Sequence, residues 1–199
     1  MKTLIFWDSI TEWNSDIEFG GWANRLRVFY LQNKKEKIVN LWIWWDEVED
    51  ILKRFDCMTK SYIEKYSKTP TFIFAIWIND SVTNIDNTKN NYTYEEFENN
   101  LKLLIEKARK YNPEKIVFVW LTNVDESLLN PFPWSSTWKC YKNERIKKFD
   151  KIIKEIALKN NFWYIPLFWL LENNEFIDWL HPNSIWHKKI FEKILDYLK

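Results

Sequence analysis

The sequence predicts an α/β fold, a three-layer α/β/α sandwich built on a mostly parallel sheet. Two observations predict it: short apolar runs alternate with segments of helical spacing along the chain, and the apolar runs are nearly continuous. Continuous apolar strands are typical of sheets covered on both faces, and strand–helix alternation produces right-handed crossovers in a parallel sheet. A chain of 199 residues fits one domain, so we expect a single domain over residues 1–199.

Five runs of β-branched, aliphatic and aromatic residues predict the strands. They are Thr3–Phe6, Lys37–Ile43, Thr71–Ile78, Lys115–Leu121 and Phe162–Leu167. In open α/β sheets, ligands bind beyond the carboxyl ends of the strands. The residues that follow each run are therefore the place to look for chemistry.

The segments between the strands carry apolar residues three and four positions apart, which predicts amphipathic helices. The apolar positions are Val48, Ile51, Leu52 and Phe55; Phe97, Leu101, Leu104, Ile105 and Ala108; Ile146, Phe149, Ile152, Ile153 and Ile156; and Phe191, Ile194, Leu195 and Leu198. Thr93 and Glu96 form a capping-box pattern ahead of the second helix, and the last helix is expected to begin near Ser184.

The charge and composition exclude several classes of partner. The 29 basic and 28 acidic side chains leave a formal net charge of +1, so no strong field attracts nucleic acid or anionic membranes. The apolar stretch Thr3–Trp7 is cut by Asp8 and is too short for a signal peptide or a membrane span. We therefore expect a soluble cytoplasmic protein. Cys57 and Cys140 lack CxxC spacing and are expected to be inert thiols.

Three of the predicted strands are followed by residues suited to acyl-transfer chemistry. Ser9 follows the first strand in a sharp strand-to-loop turn. Trp45 and Asp46 follow the second and lead into a helix whose first N–H groups are unpaired and can point at an anion, so this segment could be half of an oxyanion hole. Asn79 follows the third and could donate a hydrogen bond to a developing oxyanion. Each residue is common alone, since serine and asparagine usually serve as turn formers.

Near the C-terminus, Asp178 precedes His181 by three residues, which is the most informative single pattern. A carboxylate at this spacing can hold an imidazole in the tautomer that a general base requires. The only other histidine, His187, is expected at the surface or the core edge of the last helix. A histidine base for a serine nucleophile must come from this pair, with a lysine as the alternative.

Taken in order, these four segments resemble the four conserved blocks of the SGNH (GDSL-like) hydrolase family: GDS, a glycine block, GxND and DxxH. The blocks are Trp7-Asp8-Ser9, Asn40–Asp46, Trp77-Ile78-Asn79-Asp80 and Asp178-Trp179-Leu180-His181. Gly20-Gly21-Trp22 opens the first helix as family members commonly do. The resemblance covers nearly the whole chain and implies a flavodoxin-like sheet.

The resemblance also implies residue roles. Ser9 would be the nucleophile, His181 its base and Asp178 the carboxylate that orients the histidine. Asn79 and the backbone N–H groups of Ser9 and Trp45 would form the oxyanion hole. No metal or organic cofactor is implied, and the partner would be a small-molecule ester. The sequence distinguishes neither the ester, whether lipid, thioester or acetylated sugar, nor the oligomeric state.

Two other functions remain open at this stage. The first is a catalytically inactive binding protein of the same fold, in which tryptophans fill the crevice. The second is a flavodoxin-like nucleotide- or flavin-binding protein, but no glycine-rich phosphate loop follows the first strand. Labelling by a serine-directed probe would exclude the first, and flavin absorbance would support the second.

Tryptophan and glycine contents are inverted, with 14 tryptophans and two glycines. An average glycine usage of about 7% would give roughly 14 glycines in a chain of this length. Eleven tryptophans stand where the family has glycine or where a turn favours it: Trp7, Trp13, Trp42, Trp44, Trp45, Trp77, Trp120, Trp138, Trp169, Trp179 and Trp186. We hypothesise that these positions are encoded by UGA and that the source lineage reads UGA as glycine. Trp22 and Trp134 are expected to be genuine, and Trp163 is left open.

Overall fold

The computed structural model describes residues 2–8, 16–33, 36–66, 69–75, 77–84, 91–120, 123–132, 139–168, 170, 180–181 and 183–198. Its centre is a five-stranded parallel sheet in the order β2-β1-β3-β5-β7. The strands are β1 (Lys2–Trp7), β2 (Lys37–Asn40), β3 (Pro70–Ala75), β5 (Lys115–Val119) and β7 (Trp163–Ile165). The predicted three-layer sandwich with a flavodoxin-like parallel sheet is confirmed.

Five helices cover the two faces of the sheet. They are α1 (Trp22–Asn33), α2 (Val48–Tyr66), α3 (Tyr94–Arg109), α4 (Asn143–Lys159) and α5 (Ser184–Leu198). Side chains alternate between faces along a strand, so Leu4 and Phe6 face α2, α3 and α4, whereas Ile5 and Trp7 face α1 and α5. The predicted capping box is present at the start of α3, where Thr93 and Glu96 bond each other's backbone N–H groups.

Four of the five strands end earlier than predicted: β5 ends at Val119 instead of Leu121, β7 ends at Ile165 instead of Leu167, and the largest differences are at β2 and β3. β2 ends at Asn40 instead of Ile43, because the chain turns there and Asp46 donates its N–H to the carbonyl oxygen of Ile43 at 3.4 Å. β3 ends at Ala75 instead of Ile78, and Trp77 has a φ of 135°, which no strand residue adopts. The early endings of β2 and β3 leave turns at the carboxyl edge of the sheet.

A small antiparallel ladder was not predicted. β4 (Thr83–Asn84) pairs with β6 (Lys139–Cys140), outside the central sheet. Two-residue strands carry no periodic pattern, so sequence reasoning had no signal for them. Cys140 is buried in this ladder and Cys57 is exposed on α2; both are free thiols. None of the described helices is long and apolar enough to cross a bilayer.

Phe55 joins α2 to the sheet. Its ring centroid lies 5.0 Å from that of Phe6 and 5.2 Å from that of Phe72, and its side chain is fully buried. Aromatic rings at these separations bury large apolar areas and dominate core energetics. The contact between α2 and the central strands therefore depends strongly on this ring.

We predict that Phe55→Ala lowers the free energy of unfolding by about 3–5 kcal/mol, because it removes a buried ring and leaves a cavity. Leu103→Ala on α3 is the matched control, since Leu103 is 49% exposed and should change stability by less than about 0.5 kcal/mol. Urea unfolding followed by circular dichroism measures both. Equal losses in the two variants would contradict the packing described here.

Candidate active site

The loops after β1, β2, β3 and β7 meet at one edge of the sheet, because the strands are parallel. At the end of β1, Trp7 and Asp8 are both buried. The predicted nucleophile Ser9 and the predicted carboxylate Asp178 lie outside the described residues. The structure does describe Trp45, Asn79 and His181, and these define the site below.

Asn79 joins the loop after β3 to the loop after β2. Its side-chain amide donates a hydrogen bond to the carbonyl oxygen of Asp46 at 3.1 Å, and Asn79 is only 4% exposed. Its side-chain oxygen accepts from the hydroxyl of Tyr141 at 3.5 Å. The amide group has two hydrogens, so one remains for a second acceptor. Asp46 directly follows Trp45, so the Asn79–Asp46 hydrogen bond joins the turn at Trp45 to the Asn79 amide.

The Trp45 turn exposes a backbone donor. Trp45 has a φ of 63°, in the left-handed region, and its N–H has no acceptor within the part of the chain that the structure describes. Its indole is 42% exposed, with Phe132 edge-on at 5.9 Å and the Lys139 Nζ 5.2 Å from the ring centroid. The Trp45 N–H and the Asn79 amide thus lie on two loops that the Asn79–Asp46 hydrogen bond joins.

The start of α2 differs from the expectation. We expected its first N–H groups to be unpaired, but the N–H of Val48 donates to Asp80 Oδ1 at 3.0 Å and that of Glu47 to Asp50 Oδ2 at 3.3 Å. Protein carboxylates occupy this helix terminus, as the helix dipole favours.

Asp80 is a fully buried carboxyl whose role the sequence reasoning missed. Burial raises its pKa well above the usual value; the Val48 N–H opposes this, while the charges of Glu47 and Asp8 reinforce it. Its Oδ2 has no partner among the described residues. Asp80 is therefore held toward its neutral form while it fixes the start of α2.

Other polar contacts stiffen the same loops. Asp46 is paired with Arg54, whose Nε lies 2.9 Å from Oδ2; burial raises the pKa of Asp46 and the Arg54 charge opposes that rise. Asn91 donates both to Glu47 Oε1 at 2.7 Å and to the carbonyl oxygen of Asn79 at 3.0 Å. Arg145 of α4 donates to the carbonyl oxygen of Ser81 at 2.8 Å. These contacts join the loops after β2 and β3 to each other and to α2 and α4.

His181 stands just before α5 and is 3% exposed. The loop it belongs to is anchored by Asn183, whose side chain accepts from the Trp186 N–H at 3.2 Å as an N-cap does. The loop is also tied to α1, since Arg25 reaches the carbonyl oxygen of Ser184 at 3.5 Å. The candidate base therefore lies on a short segment fixed at its helical end.

Arg25 is itself fixed by a buried ion pair. Its Nε and Nη2 donate to the two oxygens of Asp16 at 2.9 and 2.7 Å, and the Gly21 N–H donates to Asp16 at 3.0 Å. Burial alone would raise the pKa of Asp16, but these hydrogen bonds hold it below the usual value. Gly20 and Gly21 have φ values of 69° and 105°, which suit glycine. Sequence reasoning missed this pair, since nothing local marks its two members as partners.

His187 is on α5 as expected, but the expectation that it lies at the surface or core edge is wrong, because it is fully buried. Its Nδ1 accepts a hydrogen bond from the backbone N–H of Trp22 at 3.3 Å. Burial lowers its pKa to about 4, with Asp16 opposing the shift and Arg25 and His181 adding to it. His187 is neutral at pH 7 and structural, which leaves His181 as the histidine at the sheet edge.

Known proteins are similar to this chain in sequence pattern and in fold. The sequence model of the GDSL-like lipase/acylhydrolase family matches residues 6–189. An acetylxylan esterase from Geobacillus stearothermophilus superposes with a TM-score of 0.71 at 15% identity, covering 98% of this chain and 92% of its own. Its structures include variants described as catalytic mutants, at a serine, an aspartate and a histidine.

Two further solved structures are similar over the full length. The acetyl xylan esterase AlAXEase has a TM-score of 0.71 at 17% identity and covers 100% of both chains. TesA has a TM-score of 0.69 at 17% identity, covering 100% of this chain and 98% of its own. These likenesses show a shared fold. No curated protein matches the chain by sequence.

The buried His187 predicts a stability that falls with acid. Its pKa is about 4 in the folded state against 6.5 ordinarily, so below pH 6.5 the unfolded chain binds a proton that the native chain does not. We expect the free energy of unfolding to lose up to about 3 kcal/mol from this group as pH falls through that window.

The measurement is urea unfolding of wild type and His187→Asn from pH 7.5 to 3.5. Asparagine keeps an acceptor for the Trp22 N–H but does not titrate. Asp150, whose burial raises its pKa to about 7, titrates in both proteins and cancels in the difference. A wild-type minus variant difference that stays constant with pH would refute the assignment.

Proposed function

Because the chain belongs to the GDSL-like lipase/acylhydrolase family and is therefore an ester-bond hydrolase, we propose that it cleaves carboxylic esters through an acyl-enzyme on Ser9. His181 removes the Ser9 proton as the hydroxyl attacks the ester carbonyl, and Asp178 holds the imidazole in the required tautomer. His181 then protonates the leaving alcohol. Water activated by the same histidine hydrolyses the acyl-enzyme and restores Ser9.

The observation that carries this proposal is the hydrogen bond from the Asn79 amide to the carbonyl oxygen of Asp46. It brings a side-chain donor and the unpaired backbone N–H of Trp45 to one side of the sheet edge. Two such donors are what a tetrahedral intermediate needs for its oxyanion. The Ser9 N–H would be the third donor.

The position of His181 supports the proposed base. It is buried at 3% exposure on the loop that follows β7, at the edge where β1 also ends. Burial excludes competing water and strengthens electrostatic interactions among charged groups. His187 accepts the backbone N–H of Trp22 at its Nδ1, and burial lowers its pKa. This supports His181 over His187 as the base.

Two of the structural neighbours are described as acetylxylan esterases. Their sequences are distant, so they suggest which substrate to try first and not which one the protein uses in the cell. We propose acetyl and other short acyl esters as the starting class. An aryl acetate gives a direct colorimetric assay, and acetylated xylo-oligosaccharides test the carbohydrate branch.

The alternative function is a catalytically inactive binding protein with tryptophans in its crevice. The exposure of Trp44 and Trp45, at 44% and 42%, favours this alternative, because exposed indoles can present an aromatic face to a ligand. Under it, the same fold and loops would persist without turnover. The probe experiment below separates the two, because an inactive protein has no activated serine.

We predict that a fluorophosphonate probe labels the wild-type protein and fails to label Ser9→Ala, since phosphonylation requires the activated nucleophile. Ser61→Ala is the matched control, because the Ser61 hydroxyl only bonds the Cys57 carbonyl oxygen on the exposed face of α2. The assay is run on the tryptophan sequence and on a form with glycine at the eleven hypothesised positions. Labelling of Ser9→Ala, or of neither form, would rule out the nucleophile.

We predict that Asn79→Ala lowers kcat for an aryl acetate by about 100- to 1,000-fold, the usual effect of deleting one oxyanion donor. KM should change little, because the donor acts mainly in the transition state. Asn100→Ala on α3 is the control, since that amide only reaches Glu49 on the surface. Thermal unfolding shows whether each variant folds. A folded Asn79→Ala that matches the control in kcat would contradict this role.

A further inference from the structure

The backbone at two tryptophans has a conformation that a side chain disfavours. Among the described residues, four other than glycine have positive φ: Trp45 at 63°, Trp77 at 135°, Asn112 at 45° and Asn161 at 56°. Asparagine tolerates this region and commonly ends helices there, as these two do after α3 and α4. A bulky residue with positive φ is an outlier. Both outliers fall at the proposed oxyanion site.

Four tryptophans carry a buried indole N–H that has no hydrogen-bond partner among the described residues. The indole N–H groups of Trp7, Trp77, Trp120 and Trp186 are inaccessible to water and have no hydrogen-bond partner within the described part of the chain. A buried tryptophan N–H usually finds an acceptor, because leaving it unpaired is unfavourable. These indoles occupy buried space in which no described residue accepts a hydrogen bond from the indole N–H.

Trp7 is also crowded. Its ring centroid lies 3.6 Å from that of Trp22 with the planes inclined at 64°. Inclined aromatic pairs ordinarily keep their centroids about 4.5–7 Å apart. Both side chains are nearly fully buried, at 1% and 2% exposure, so neither ring has room to withdraw. One of the two positions is suited to a smaller residue.

Trp22 and Trp163 provide the internal contrast. Neither has positive φ, and neither has a buried indole N–H without a partner. Trp163 lies on β7 at 41% exposure with the Lys115 Nζ 4.8 Å from its ring centroid, which is an ordinary surface contact. The anomalies therefore fall on particular tryptophans and spare others within the same fold.

We propose that Trp7, Trp45, Trp77, Trp120 and Trp186 are glycine in the protein as its own cell makes it, because their codon is UGA and is read there as glycine. The positions are those at which the backbone, the burial or the unpaired N–H is incompatible with an indole. Trp22 and Trp163 stay tryptophan and use the ordinary codon. The same reassignment extends to the other six of the eleven positions and accounts for the two glycines in 199 residues.

The reassignment has a consequence for the site. With glycine at Trp45, the left-handed turn costs no Cβ strain, and the half-exposed indole that contacts Phe132 and Lys139 is absent. With glycine at Trp77, the turn that carries Asn79 relaxes in the same way. The inference itself concerns residue identity, so its test does not depend on catalysis.

The test is peptide mass spectrometry of the protein isolated from its native source. Trypsin releases residues 3–25 as one peptide, which holds Trp7, Trp13 and Trp22 together. We expect fragment ions to show glycine at the first two positions and tryptophan at the third, so the control lies within the same molecule. The peptide of residues 69–89 reports Trp77 alone.

Tryptophan at Trp7 or at Trp77 in the native peptides would overturn the proposal. Sequencing the gene gives a second readout, with UGA expected at the five positions and UGG at Trp22 and Trp163. The same codon at Trp7 and Trp22 would also overturn it. For recombinant protein, replacing the five by glycine should raise Tm, whereas Trp22→Gly should lower it because that ring fills the core between β1 and α1.

Discussion

The hydrogen bonds from two consecutive residues after β3 to the start of α2 hold together the loops that carry Asn79 and Trp45. Asn79 donates to the Asp46 carbonyl oxygen, and Asp80 accepts the Val48 N–H. These bonds join loops that are far apart in sequence, and both lie in the buried interior where a hydrogen bond is strongest and its loss most costly. They also restrain the turn at Trp45, because that residue directly precedes Asp46.

This arrangement uses buried carboxyl groups in two protonation states. Asp80 caps a helix but is shifted toward its neutral form by burial, whereas Asp16 is held ionised by Arg25 and the Gly21 N–H. The difference arises from partners, since only Asp16 has a cation and several donors around it. Each group fixes a loop at the carboxyl edge of the sheet, one at the start of α2 and the other before α1.

Much of the fold was predictable because its signals are periodic. Continuous apolar strands, helices spaced by three or four residues and the Thr93 capping box all appear where the sequence places them. The predicted strand ends were less accurate, because Trp42 and Trp77 continue the apolar pattern beyond the residues at which β2 and β3 end. The Asp80 cap and the Asp16–Arg25 pair were missed because they depend on tertiary proximity. The proposed oxyanion residues came from the family resemblance, and the structure adds the Asn79–Asp46 hydrogen bond that joins two of their loops.

The distribution of the tryptophans also constrains the inactive alternative. A ligand-binding aromatic must present its face to solvent, and Trp44 and Trp45 do so at 44% and 42% exposure. Trp77 cannot, since it is fully buried with Phe97 and Phe118 rings 5.6 and 6.0 Å away. It adds volume to the core while its φ of 135° disfavours any side chain. A ligand-binding role would account for the exposed Trp44 and Trp45 but would leave the buried Trp77 unexplained. Glycine at positions 45 and 77 adopts the same backbone conformation and leaves the site open to an ester.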